Sequence, residues 1–202
     1  MKIRRVTLSI VYSLIAVFGF VSAGPSRMLA QENHTHMISS KGENQNSEEN
    51  NETNALIKVV REATERFQDV SAAEAAGYYL QFGCVSGSDS GAMGMHFVNS
   101  ALVTDGVLDA TRPEIVLYEP LPNGRLRLIG ADYLVFADAW NATHSSPPQL
   151  MGQLFHLFES PNRFGLPAFY TLHVWAWKEN PTGSFVNWHS NVACNAFNGH
   201  TN

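Results

Sequence analysis

Thiols and positive charge are what this chain has least of. Only two cysteines, Cys84 and Cys194, occur in 202 residues. No Cys-x-x-Cys pair is present, which excludes a cysteine-built zinc finger or a thioredoxin-like redox motif. No His-x-x-x-His spacing, Gly-x-Ser-x-Gly elbow, P-loop or dinucleotide-binding glycine fingerprint is present either. Lysine and arginine number 13 against 18 acids, for a net charge of −5. Beyond the first five residues there is no basic cluster, which argues against nucleic acid and an anionic membrane surface as partners.

The basic residues at the start serve another purpose. Lys2, Arg4 and Arg5 precede a mostly apolar run from Val6 to Val21, and Val21-Ser22-Ala23 supplies small residues ahead of Gly24. This order predicts a signal peptide over residues 1–23, and hence a secreted or periplasmic protein with no membrane attachment after cleavage. Arg4-Arg5 carries a weak twin-arginine signature, and Ala30 offers a second cleavage point. Cleavage at residue 23 removes three positive charges and no acid, taking the net charge from −5 to −8. Residues 31–54 hold five acids, one lysine and almost no apolar residue. Such a composition cannot offset the entropy of ordering, so residues 24–54 are expected to form a disordered polar tether. Within it, His34, His36 and Met37 form a local pattern suited to copper. In an oxidising compartment Cys84 and Cys194 read as one disulfide, with a thiol ligand or reactive cysteine as the alternative.

Residues 55–202 remain as a single domain. Asn54 is placed to cap a first helix whose Leu56, Val59, Val60, Ala63 and Phe67 share a face. Ser71 to Glu74 has capping-box spacing and Gly77 can end a short second helix. Strands are predicted over 78–82, 95–99, 115–119, 125–137 and 168–178, with Asn123-Gly124 marking a hairpin. Residues 153–159 are ambiguous between helix and strand. Helices first and an antiparallel meander after predict an α+β fold, with N-terminal helices packed on a curved, mostly antiparallel β-sheet; a small β-barrel is the alternative.

Alternation on the last strand separates Leu172, Val174 and Ala176, a core face, from Thr171, His173, Trp175 and Trp177. On the second strand Gly94, His96 and Val98 share a face, and the glycine leaves room for an approaching group. If the corresponding faces converge, His96, His173, Glu119 and Asp132 line one interior. Imidazole with carboxylate suits a divalent transition metal: zinc, copper, iron or manganese. Trp175 and Trp177 are candidates for an aromatic ligand pocket, and His156 for its mouth. The remaining tryptophans, Trp140 and Trp188, read as core or stacking platforms.

The stretches "AMGMHFVNSALVTDGVLDATRPEIVLYEP", "LRLIGADYLVF" and "LHVWAWKENPTGSF", with the closing Cys194, resemble a family of exported, functionally uncharacterised bacterial proteins over about residues 58–197. The resemblance implies that His96, Glu114, Glu119, His173, Trp175, Asn180 and Cys194 are motif positions. It departs at Asp132, where the family pattern has glutamate, so the carboxylate is kept on a shorter stem. It implies no reaction. Three readings follow from the residues: an exported metal-binding domain with a histidine/carboxylate site inside a curved sheet, a module binding a small organic molecule in an aromatic-lined pocket, and a metal-assisted hydrolase or oxidoreductase.

Overall fold

The structure is a computed structural model that describes residues 50, 53 and 55–199. The expected leader, most of the expected tether with His34, His36 and Met37, and the Asn54 cap lie outside the described residues. Helix α1 covers residues 55–64, a 3-10 turn follows at Glu65–Gln68, and α2 spans Val70–Ala75. The cap of α2 is Asp69 rather than Ser71. Its carboxylate accepts from the backbone N–H of Ser71 at 3.0 Å and from the Ser71 hydroxyl at 2.8 Å. An acid that meets both donors outcompetes a serine as cap. Gly77, at φ +90, ends the helix as expected.

Eight strands follow: β1 Tyr79–Ser86, β2 Ala92–Val98, β3 Ile115–Pro120, β4 Leu126–Phe136, the short β5 Gln149–Leu150 and β6 Gln153–Leu154, then β7 His156–Phe158 and β8 Phe169–Val174. Six of them form one antiparallel sheet in the order β1-β2-β3-β4-β8-β7, and it curls into a half-barrel. The fold is therefore α+β with a curved sheet, as the order of elements predicts. The Asn123-Gly124 turn joins β3 to β4, with Gly124 at φ +76. Two short helices escape the hydrophobic pattern: α3, Ser100–Asp105, and α4, Ala137–Asn141. The first is set by Asn99, whose side chain accepts from the N–H groups of Ala101 and Leu102.

The core face expected on the last strand is in place. Leu172, Val174 and Ala176 are buried with Leu56 and Val60 of α1 and Ala131, Tyr133 and Val135 of β4. Each fully buried aliphatic side chain contributes about 1.5–3 kcal/mol. Hydrogen bonds tie the helical layer to the sheet and to the chain just beyond β8: Tyr118 Oη to the Phe67 carbonyl at 2.6 Å, Trp177 Nε1 to Thr64 Oγ1 at 2.9 Å, and Arg61 Nε to the Ala176 carbonyl. The last strand is shorter than predicted. Beyond Val174 the chain leaves the ladder, and the N–H groups of Trp177 and Lys178 both donate to the Ile129 carbonyl. The Asn180–Gly183 turn forms as expected, closed by Gly183 N–H on the Asn180 carbonyl at 3.0 Å. The segment after it returns to β2, where His189 and Ala92 exchange backbone hydrogen bonds. Cys84 on β1 and Cys194 in that segment form a disulfide with 5.7 Å between Cα atoms. No helix among the described residues is long and apolar enough to cross a membrane.

Candidate metal centre

Strand register brings three of the predicted ligands together. Asp132 on β4 lies directly opposite His173 on β8 and, on its other side, opposite Ile115 on β3. His96 on β2 lies opposite Leu117, two residues along β3 from Ile115 and therefore on the same face. Opposed side chains on one face stand about 5 Å apart, so a histidine, an aspartate and a second histidine converge across three ladders. The two imidazoles have ring centroids 5.8 Å apart, and His173 Nδ1 lies 3.5 Å from Asp132 Oδ1. One donor atom from each of the three residues lies within 4.8 Å of the other two. Asp132 reaches the site on its short stem because the register sets it directly beside His173.

All three side chains are buried, at 5% exposure for His96 and 2% for each of the others. Burial, then the neighbouring His173, pushes His96 down to about 4, with Asp132 and the Gly94 carbonyl partly opposing. Burial, then His156, pushes His173 down to about 3. Burial raises Asp132 to about 6, against the pull of His96 and of the Thr171 hydroxyl, which donates to Oδ1 at 2.5 Å. At neutral pH the group is thus two neutral imidazoles and a largely ionised carboxylate, the protonation states in which these side chains bind metals. Neither nitrogen of His173 has a hydrogen-bond partner among the described residues. His96 Nδ1 has only the Gly94 carbonyl, at 3.3 Å.

The cluster forms the polar part of an otherwise apolar pocket. Its walls include Ile115, Leu134 and Phe169, and Phe82, Phe158 and Phe164 stand partly exposed at its edge. Phe82 reaches this face through a bulge, where the register of β1 on β2 shifts between Gln81 and Cys84 and Phe82 and Gly83 both have positive φ. A bulky residue at φ +62 costs on the order of 1–3 kcal/mol, and the bulge turns its ring towards the pocket.

The other predicted site residues lie elsewhere. Glu119 is opposite Arg127, well along β4 from Asp132. Its carboxylate is bound by Arg127 and by Lys178 Nζ, at 2.8 and 2.9 Å for the lysine. Burial raises its pKa, but these two cations outweigh burial and hold it below the usual range. A carboxylate so neutralised is a structural ion pair, not a fourth ligand. Trp175 is core: it is 3% exposed, donates from Nε1 to the Val186 carbonyl, and packs edge-on against His189. Trp177 left the strand with the break after Val174, so its alternation with His173 is lost. The pocket's rings are phenylalanines instead. His156 is exposed on β7, with Nδ1 3.1 Å from Asn187 Oδ1, and is not part of the pocket wall. Gly94 makes room for backbone and not for a ligand. It sits at φ +87, and a Cβ there would stand 2.6 Å from the Tyr118 carbonyl oxygen.

The sequence reading missed Thr171 as the group that holds Asp132, although it shares the face of His173. It also missed the phenylalanines, which come from the bulge in β1, from β7 and β8, and from the segment between them.

Fold and site together define a class: an α+β half-barrel with a buried histidine–aspartate–histidine group able to hold a metal ion. No protein-family model, curated protein or solved structure matches the chain.

Proposed function

We propose that this is an exported metal-binding protein in which His96, Asp132 and His173 hold one divalent transition metal at the inner end of the phenylalanine-lined pocket. The observation that carries the reading is the pair of buried, unpartnered nitrogens on His173, beside a second imidazole and a carboxylate. A polar atom buried without a partner costs about 1–3 kcal/mol, and an ion satisfies one such nitrogen directly. Two ligands each about 2 Å from an ion lie no more than about 4 Å apart, so the group needs to close only slightly. Two nitrogens and one oxygen suit zinc with a fourth position open, or the two-histidine, one-carboxylate arrangement used for iron, and copper and manganese are compatible. Thr171 orients the carboxylate, as a second layer of hydrogen bonds does in metal sites generally. Export is supported by the apolar leader in the sequence and by the Cys84–Cys194 disulfide.

Elemental analysis of protein purified from its oxidising compartment tests the reading. One equivalent of a transition metal is expected, and His173→Ala and Asp132→Asn should each lower metal content below a tenth while circular dichroism stays that of the folded protein. Metal-free wild-type protein that also fails to take up zinc, copper, iron or manganese would refute it.

A further inference from the structure

The pocket above the three ligands is too small for an organic substrate. Its free space amounts to about 20 Å³ for the centre of a water molecule. A site needs roughly 10–15 Å³ on that measure to hold one water. The space is lined by the three ligand residues as well as by the phenylalanines, so it takes the ion together with no more than a small further ligand. The edge is formed by rings in mutual contact. Phe164 packs edge-on against Phe82 at 5.5 Å between centroids and lies 6.1 Å from Phe158. Phe158 in turn stacks on Phe169 at 5.2 Å. These rings come from β1, β7, β8 and the segment between the last two, so the contact joins both edge strands of the half-barrel.

Resting on the metal reading above, we infer that the ion keeps one exchangeable position, and that the phenylalanine contact limits its occupant to water, hydroxide or a linear ligand of two or three atoms. Three features argue for this class. Beyond Thr171, whose hydroxyl is already given to Asp132, and the three ligands themselves, the wall offers no polar side chain to recognise a larger molecule. Three protein ligands leave at least one coordination position for an outside donor. An apolar wall around so little free space admits a small ligand and disfavours an extended hydrated ion. Phe164 is the size-determining residue, because it touches rings from both edges.

Cobalt(II) added to the metal-free full-length protein supplies the readout, since its visible bands report both binding and coordination number. Azide at millimolar concentration should shift the bands of the wild-type protein. Imidazole and 4-phenylimidazole should shift them only at concentrations about tenfold higher or more. Phe164→Ala should remove that difference and leave the azide response in place. Cobalt bands that azide leaves unchanged would overturn the inference while sparing the metal site. So would wild-type protein that binds 4-phenylimidazole as readily as azide. These comparisons stand on wild-type protein alone if the variant misfolds. No cobalt bands at all would overturn the metal reading and this inference with it.

Discussion

At the scale of single residues, burial sets the chemistry. Glu114 shows this outside the metal centre. It is 1% exposed, one carboxylate oxygen accepts from Leu134 N–H at 3.1 Å, and the other has no partner among the described residues. Burial first, with a smaller contribution from Asp132, raises its pKa from 4.5 to about 8. A group whose folded pKa is raised stabilises the fold fully below its unfolded value and loses that stability as pH rises towards the folded one. The window here is pH 4.5 to about 8, with each pH unit in it costing about 1.4 kcal/mol at most. Glu114→Gln imitates the protonated acid, so its stability should stay flatter across this window. By pH 8 it should exceed wild type by at least about 2 kcal/mol, measured by urea unfolding at several pH values. A variant that loses stability with pH as steeply as wild type would show that Glu114 is ionised in the fold. The sequence made much of this scale legible. Strict alternation on β8 put His173 opposite the core face, and the same rule on β2 and β4 added His96 and Asp132. Alternation could not see that Glu119 would be claimed by Arg127 and Lys178, because Lys178 arrives from beyond the strand break.

At the scale of elements, the predictions that failed did so where one strand stops following its neighbour. Trp177 was misassigned because β8 ends at Val174 and the chain bends towards Ile129. Phe82 was overlooked because a bulge between Gln81 and Cys84 shifts β1 against β2, which no period-two pattern anticipates. The helices α3 and α4 have five or six residues each, too short to show a period, and α3 starts from a cap at Asn99. Gly94 gives this scale its test. Its φ of +87 disfavours any other residue, and an added Cβ would run into the Tyr118 backbone on β3. Backbone cannot yield as a flexible side chain can. Gly94→Ala should therefore destabilise the protein by on the order of 2–4 kcal/mol. Gly124→Ala is the control, since Gly124 has comparable φ but nothing within 4 Å of its added Cβ. It should lose only about 1 kcal/mol. Equal losses in denaturant unfolding would mean that backbone conformation alone sets the cost, and that β2 and β3 can move apart without penalty.

At the scale of the molecule, a half-barrel has an open side, and the last part of the chain closes it. After β8 the backbone turns at Asn180–Gly183, returns to pair His189 with Ala92, and ends in a disulfide to β1. The link therefore joins the segment that follows β8, the strand next to one sheet edge, to β1, which forms the other edge. His189 is fully buried in this closure, with its ring against Trp175, which in turn packs against His173. Beyond the His189–Ala92 pair the segment forms no ladder and is held by single hydrogen bonds, such as Trp175 N–H to the Ser184 carbonyl and Trp175 Nε1 to the Val186 carbonyl, together with the covalent link. The bridge spans 110 positions, and closing so long a loop restricts the unfolded chain strongly. Replacing both cysteines with serine should thus cost about 2–5 kcal/mol. The ligands sit on β2, β4 and β8, whose pairing does not involve the bridge, so the folded fraction of the double variant should still take up metal. Urea unfolding with and without reductant measures the first expectation, and cobalt titration of the folded variant the second. A double variant that unfolds like wild type would show that the segment holds by packing alone. One that stays folded but loses the metal would show instead that the Trp175–His189 contact sets the position of His173.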